Sequence, residues 1–365
     1  MTEERRRSLW LALAAGQNPR RHRILLEDYG SAGAVYAAAA GGRLEHRHPG
    51  DETHYGEIMA SANEDFIERS LEELERKGIA PVLYEDAEYP ALLREIYLPP
   101  PILYIKGRLP GAIPLPIAVI GSRKCSRYGR EVAESIGGEL ARCGACVVSG
   151  MAYGVDEIAA RAALKEENAF PTIAVLGCGA DVIYPSYNSY LYSQICERGA
   201  VISQFPPGIP PNAQNFPRRN RIISGISKGV VVIEAAKRSG TSITVDFALE
   251  QGRDVFAVPG RINDPACEGT NYLIREGMAK PVFGTADILE EYRIDAGAGR
   301  RAAQVDEAAL SREEQVVFSL LRGGRRSVDE LCELTSMEPG RLNSVLTEME
   351  ISGIIKQSPG RMYGL

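Results

Sequence analysis

The sequence predicts an α/β protein centred on an open, mostly parallel sheet with helices on both faces. Three observations lead there. Between Ile117 and Gly260, apolar runs of about five residues alternate with helix-length segments. The runs are apolar throughout rather than at every second residue, the habit of strands buried on both faces. Three of them hand over to a helix through a glycine-rich turn. These turns are Gly121-Ser122-Arg123, Ser149-Gly150 through Gly154-Val155-Asp156, and Ser239-Gly240-Thr241-Ser242 after the run Val230 to Glu234.

In chain order, residues 1 to about 40 read as short helices with Leu9, Trp10, Leu13, Ile24, Leu25, Leu26 and Tyr29 as core. Arg5-Arg6-Arg7 ahead of Ser8 to Ala15 has the outline of a signal peptide. The apolar part is at the lower limit for one, and a second helical stretch, His22 to Tyr29, follows at once. An amphipathic helix of a folded domain is the better reading. Gly41 to Gly56 is polar, rich in glycine and histidine, and reads as a loop. A charged helix, Asn63 to Lys77, and strands at 80–84 and 102–107 lead into the main sheet.

Within that sheet, strands are expected at 117–121, 145–149, 172–176, 200–203, 229–234 and 254–258. Helices are expected at about 127–142, 155–166, 188–197, 219–226, 241–251 and 270–277. Residues 294–304, mostly Gly, Ala and Arg, form a linker by composition. Beyond it, Ser311 with Glu314 and Ser327 with Glu330 are capping boxes. Leu342, Val345, Leu346 and Met349 make a helical stripe, and Ile354 to Tyr363 reads as a hairpin. Three helices and a hairpin predict a winged helix-turn-helix. The expected domains are therefore a small helical one at 1–75, the α/β one at 76–293 and the winged helix at 305–365.

Composition narrows the function. A net charge of -6 gives no global positive field, so contact with nucleic acid must come from a local patch. Seven cysteines, an odd count in a long chain, argue for reduced thiols and a cytoplasmic protein. Cys143 and Cys146 form a CxxC, but no second ligand pair follows, so no metal site is expected. All four histidines precede the central stretch, which speaks against histidine chemistry in a crevice there. No apolar run approaches the ~20 residues of a membrane span.

The motifs point to phosphate. In open α/β sheets ligands sit beyond the carboxyl ends of the strands, where glycine lets backbone amides approach and a helix start favours an anion. Gly121, Ser122 and Arg123 would hold a phosphate with a forked guanidinium, although the same tripeptide also makes an ordinary β-α turn. Ser149 to Gly154 lacks both the Walker lysine and the GxGxxG spacing, which disfavours ATP hydrolysis and dinucleotide binding. Asp156 serves equally well as a helix cap. Gly177 to Asn188, another glycine turn after a strand, reads as a loop shaping the crevice.

Pro211 to Gly240 carries Arg218, Arg219, Arg221, Lys228, Lys237 and Arg238 against one acid, Glu234. Phe216 and Asn220 lie in the same run, and Phe216 is a platform for stacking a base. Ser239, Gly240 and Thr241 open a helix with free amides and hydroxyls. Cations and an aromatic beside phosphate-sized turns are the footprint of single-stranded nucleic acid. The C-terminal winged helix is a weaker candidate for DNA. It has seven basic and ten acidic residues from Val305 to Leu365, and Glu348 and Glu350 accompany Arg341 on its third helix.

Taken in order, Val119-Ile120-Gly121-Ser122-Arg123, Ser149-Gly150 to Asp156, Ala174-Val175-Leu176-Gly177, Tyr184-Pro185, Phe216-Pro217 to Ile223, Glu234-Ala235, Ser239-Gly240, Gln251-Gly252-Arg253 and Val258-Pro259-Gly260 resemble the DNA-processing protein A (DprA/Smf) family over roughly residues 80 to 290. The resemblance implies an extended Rossmann-like domain that is not an enzyme and uses no cofactor. It would bind and protect incoming single-stranded DNA in natural transformation, load the RecA recombinase and form a homodimer. Its DNA pocket would use Ser122, Arg123, Phe216, Arg219, Arg221, Ser239 and Gly240. Ala160 stands where the family often has histidine, and Gly16-Gln17-Asn18-Pro19 replaces its usual Gly-x-Gly-Pro hairpin. The fold also resembles that of cytokinin-activating phosphoribohydrolases, in which case Arg219 and Glu234 would be the reactive pair. The Pro-Gly-Gly-x-Gly-Thr loop of those enzymes is absent.

Overall fold

In the computed structural model the chain divides into two compact units, Met1–Ile294 and Asp295–Leu365. The described residues are 1–16, 18–45, 52–237, 239–294, 310–322, 324, 326–335, 337–352, 354–358 and 362–364. His46, His48, Arg238, nearly all of the expected linker, the start of the expected winged-helix domain and the turn of its hairpin lie outside them.

The first unit opens with helices α1 (Glu3–Ala14), α2 (Pro19–Tyr29), α3 (Ala32–Ala40), α4 (Glu52–Ala60) and α5 (Glu64–Arg76). Side-chain oxygens of Thr2, Asn18, Ser31 and Asn63 cap four of their N-termini. Helix α4 corrects the reading of Gly41 to Gly56 as loop. Tyr55 and Ile58 on one face of it are buried beside Trp10, Leu25 and Val35, and this tertiary burial outweighs weak local helix signals. The Trp10 indole donates to the Ser61 carbonyl at 2.9 Å. A second cluster joins Leu9 and Leu74 to Leu83, Ile102 and Tyr104 of the sheet.

The sheet and its helices follow as β1 (Ala80–Leu83), α6 (Ala91–Arg94), β2 (Ile102–Gly107), β3 (Pro116–Ile120), α7 (Arg127–Arg142), β4 (Cys146–Ser149), α8 (Val155–Lys165), β5 (Thr172–Leu176), α9 (Ser189–Arg198), β6 (Ala200–Ser203), α10 (Asn215–Ile226), β7 (Gly229–Val232), α11 (Gly240–Glu250), β8 (Asp254–Ala257), α12 (Glu268–Arg275), β9 (Lys280–Pro281) and α13 (Thr285–Glu291). The nine strands lie in the order β1-β2-β6-β5-β4-β3-β7-β8-β9. Only β2 runs against the others, pairing antiparallel with both β1 and β6. The expected α/β sheet is thus present, and the two lead-in strands extend it by one edge.

Strand residues of β3, β4 and β5 are all buried, which explains the unbroken apolar runs. Ile173 and Val175 face a layer holding Leu93 of α6, Ile222 and Ile226 of α10, and Val245 of α11. Ala174 and Leu176 face the other layer with Ala160 and Leu164 of α8 and Leu191 and Ile195 of α9. Each fully buried aliphatic side chain contributes about 1.5–3 kcal/mol.

Topology then places the crevice. Going from β3, the chain builds β4, β5 and β6 on one side and later β7, β8 and β9 on the other. The carboxyl ends of β3 and β7 therefore flank the switch point of the sheet, where open α/β folds bind ligands.

The second unit contains α14 (Arg312–Leu321), β10 (Arg326–Ser327), α15 (Val328–Thr335), α16 (Pro339–Ile351), β11 (Lys356–Ser358) and β12 (Met362–Gly364). Both expected capping boxes are formed, at Ser311 with Glu314 and at Ser327 with Glu330. The stripe Leu342, Val345, Leu346 and Met349 packs on Val317, Phe318 and Leu331. A short strand, β10, completes a three-stranded wing in the order β10-β12-β11.

Candidate nucleic-acid interface

A cavity of about 790 Å³ opens at the switch point. Gly121, Ser122 and Arg123 line it from the end of β3, and Ser239, Gly240 and Thr241 from the start of α11. Phe216, Arg219 and Asn220 come from α10, and Tyr184 from the loop after β5. Nine of the eleven residues expected at a site thus meet around one space. Arg218 and Arg221 do not line it. Arg218 lies over the Phe205 ring at 5.6 Å. Arg221 donates to the Leu98 carbonyl at 2.7 Å and to Gln204 Oε1 at 3.0 Å, and burial pushes its pKa down to about 10.

Helix α10 begins at Asn215, four residues before its expected start, so Phe216 sits in its first turn. That register turns Arg219 inward. Its side chain is buried, 4% exposed, and its guanidinium donates to the carbonyls of Gly150 (2.8 Å) and Val175 and to Asn220 Oδ1 (3.0 Å). Burial lowers the Arg219 pKa, and the charge of nearby Asp156 opposes that shift. Asp156 is raised by burial against the opposing charge of Arg219, and its Oδ2 accepts from the Gly150 amide at 2.9 Å. Arg219 braces the β4 and β5 ends, whereas Arg123 is exposed on the cavity rim.

Phe216 is held in place by contact. A Cβ at Gly177 would lie 2.8 Å from its ring, so the glycine makes room for it. The Arg123 and Arg219 guanidinium centres lie 5.4 and 5.8 Å from the ring centroid, and Tyr184 tilts against it at 5.6 Å.

The helix starts near the cavity differ in how they are filled. At α7 the carboxylate of fully buried Glu234 accepts from the Ser126 amide at 2.8 Å and from the Ser126 hydroxyl. At α8 Asp156 and Glu157 place acids within the first turn. Helix α11 has no acid in its first turn, and its N-cap Ser239 makes no capping bond. Ser239 Oγ is buried and has no hydrogen-bond partner. The positive end of α11 is therefore open to an anion from outside. Ser122 N donates to the Glu234 carbonyl at 2.9 Å and ties the two walls together.

Some lining residues carried no sequence signal. Pro211, Ala213, Ile243 and Thr244 reach the cavity only through the placement of α10 and α11. No disulfide joins any of the seven cysteines among the described residues, and the Cys146 thiol of the CxxC is fully buried with its pKa pushed up by burial. No cluster of metal-ligating side chains occurs among the described residues, and none of their helices is long and apolar enough to cross a membrane.

Residues 80–293 match the family described as DNA recombination-mediator protein A, and residues 301–361 match the DprA winged helix domain. The chain is 43% identical over 225 residues to protein Smf of Escherichia coli K12, covering 61% of this chain and 59% of that protein. The X-ray structure of DprA from Streptococcus pneumoniae superposes with a TM-score of 0.66 at 34% identity, over 78% of this chain and 97% of that one. DNA processing protein A of Helicobacter pylori, a structure concerned with its single-stranded DNA binding mode, gives 0.52 at 28% identity, over 59% of this chain and 97% of that one. With more than half its length matched, the chain belongs to the DNA recombination-mediator protein A (DprA/Smf) family.

Proposed function

We propose that the protein binds single-stranded DNA in the cavity between β3 and β7, protects it and passes it to the RecA recombinase, acting in the cytoplasm as a homodimer without enzymatic activity. The observation that carries the reading is the open start of α11 facing exposed Arg123 across the cavity. Backbone amides at Gly240 and Thr241, the orphan Ser239 hydroxyl and the Arg123 fork would take phosphate oxygens. Phe216 gives a base an apolar wall. The described single-strand binding of the Helicobacter pylori relative supports the same ligand. In this reading residues 76–293 hold the strand, the helices of 1–75 buttress the sheet edge, and the winged helix of 305–365, with its acidic balance, serves protein contacts.

The phosphoribohydrolase reading fares worse. Glu234 is spent on Ser126, and Arg219 on two main-chain carbonyls. Neither offers a free group to a glycosidic bond. Fluorescence anisotropy with labelled oligo-dT and a matched duplex across a salt series tests the proposal. Tight, salt-sensitive binding to the single strand with weak duplex binding is expected. Equal or stronger duplex binding would overturn it.

A further inference from the structure

Phe216 is the aromatic that the sequence assigns to a base, yet its ring already has neighbours on several sides. Gly177, Arg123, Arg219 and Tyr184 all abut it. Open aromatic surface lies one step outward. Tyr153 and Tyr187 stack on each other with ring centroids 4.8 Å apart and planes 13° from parallel. They are 46% and 48% exposed. Tyr153 rides the turn between β4 and α8, and Tyr187 follows the Tyr184-Pro185 segment that edges the cavity. A small recess lined by Arg123, Tyr153, Tyr184, Pro185 and Phe216 reaches Tyr153, and Arg123, Tyr184 and Phe216 also line the main cavity.

The pair is held rather than loose. The Tyr187 hydroxyl donates to Glu157, whose other oxygen accepts from Arg161 Nε at 3.1 Å. Arg161 in turn donates to Asn188 Oδ1 at 3.0 Å. Fixed side chains lose little freedom when a ligand lands on them, which favours binding. Parallel aromatic faces beside a phosphate site suit a nucleobase, because every base has a π-face.

We propose that Tyr153 and Tyr187 form a second base subsite. A strand whose phosphate sits at the start of α11 runs past Arg123 and lays an adjoining base on the tyrosine stack. This inference rests on reading the cavity as a single-strand site.

The test is a set of oligo-dT strands with 2-aminopurine placed at successive positions, titrated against the full chain. Stacking on tyrosine quenches 2-aminopurine at one position or two. The double variant Tyr153→Ala with Tyr187→Ala loses that quench and binds the strand roughly tenfold more weakly. Tyr153→Phe with Tyr187→Phe keeps the quench, because the rings carry the contact, and binds much closer to wild type than the double alanine variant, losing only what the Tyr187 bond to Glu157 adds by holding the ring. A strand with an abasic site at the quenched position binds wild type about as weakly as the double alanine variant binds the intact strand, and combining the two adds little. Unchanged affinity and unchanged quenching in the double alanine variant overturn the subsite. If Arg123→Ala still weakens binding in that case, the cavity reading stands alone. If Arg123→Ala is also silent, the nucleic-acid reading itself fails.

Discussion

The Arg219 guanidinium occupies the space that a side chain at position 150 would need. Its central carbon would lie 2.6 Å from a Cβ built on Gly150, while its Nη1 donates to the Gly150 carbonyl at 2.8 Å. Glycine is required there by close approach, and the turn is shaped around a buried cation. Gly150→Ala is expected to lower stability by about 1–3 kcal/mol, the usual cost of forcing atoms into a packed interior. Because Arg219 also abuts Phe216, oligonucleotide affinity falls with it. Gly240→Ala, where nothing lies within 4 Å of the added carbon, leaves the melting temperature unchanged. Thermal melts of the two variants check the contrast.

Arg123 and Arg219 line the same cavity but do different work. Removing the Arg219 side chain orphans two carbonyls and strips the buried Asp156 of its nearby cation. Arg219→Ala is expected to destabilise the fold by about 3–5 kcal/mol. Arg123 is exposed, so Arg123→Ala should melt like wild type. It should lose about 1–3 kcal/mol of single-strand binding and lower the salt slope by about one unit. Denaturant melts beside anisotropy separate the two. Similar melting for both variants would show that Arg219 is no brace.

Ser239 carries a hydroxyl that is buried and has no hydrogen-bond partner. Desolvating such a group costs the free protein, so Ser239→Ala is expected to be neutral or to stabilise it by up to about 1–2 kcal/mol. If the hydroxyl serves an anion at the start of α11, the same change weakens oligo-dT binding. Gained stability with lost affinity is the signature sought. A loss of stability would mean that the hydroxyl already serves the fold.

The architecture was legible because its signals are local. Buried parallel strands make apolar runs, and capping boxes such as Ser311 with Glu314 announce their helices. The glycine turns marked the cavity for the same reason, since each must bring backbone close to something. What sequence could not separate were cations of one run. Arg218, Arg219 and Arg221 look alike on paper. The earlier start of α10 at Asn215 decides that Arg219 points into the sheet and Arg221 toward Leu98 and Gln204. Helix α4 was missed because its neighbours, not its own residues, make it stable. The Tyr153–Tyr187 stack joins residues 34 positions apart and leaves no trace in either segment.

An ion pair between Arg5 and Asp86 ties the N-terminal helices to the sheet. Arg5 on α1 makes a two-pronged bond to Asp86, from Nε at 2.9 Å and Nη2 at 2.8 Å, and the Leu83 amide donates to the same carboxylate at 2.8 Å. Burial alone would raise the Asp86 pKa. The Arg5 hydrogen bonds, the Leu83 amide and the Arg5 charge outweigh it and hold the group below its ordinary value of 3.8. A carboxylate with a depressed folded pKa binds fewer protons folded than unfolded. Its contribution is therefore complete above the ordinary value and is lost as pH falls through the lower, folded one. Asp86→Asn should destabilise the protein at neutral pH by no more than about 1 kcal/mol, since Arg5 is partly exposed and water screens the pair. The difference from wild type should shrink as pH drops below 3.8. A difference that stays constant over that range would mean that the charge on Asp86 contributes nothing and that only its shape matters.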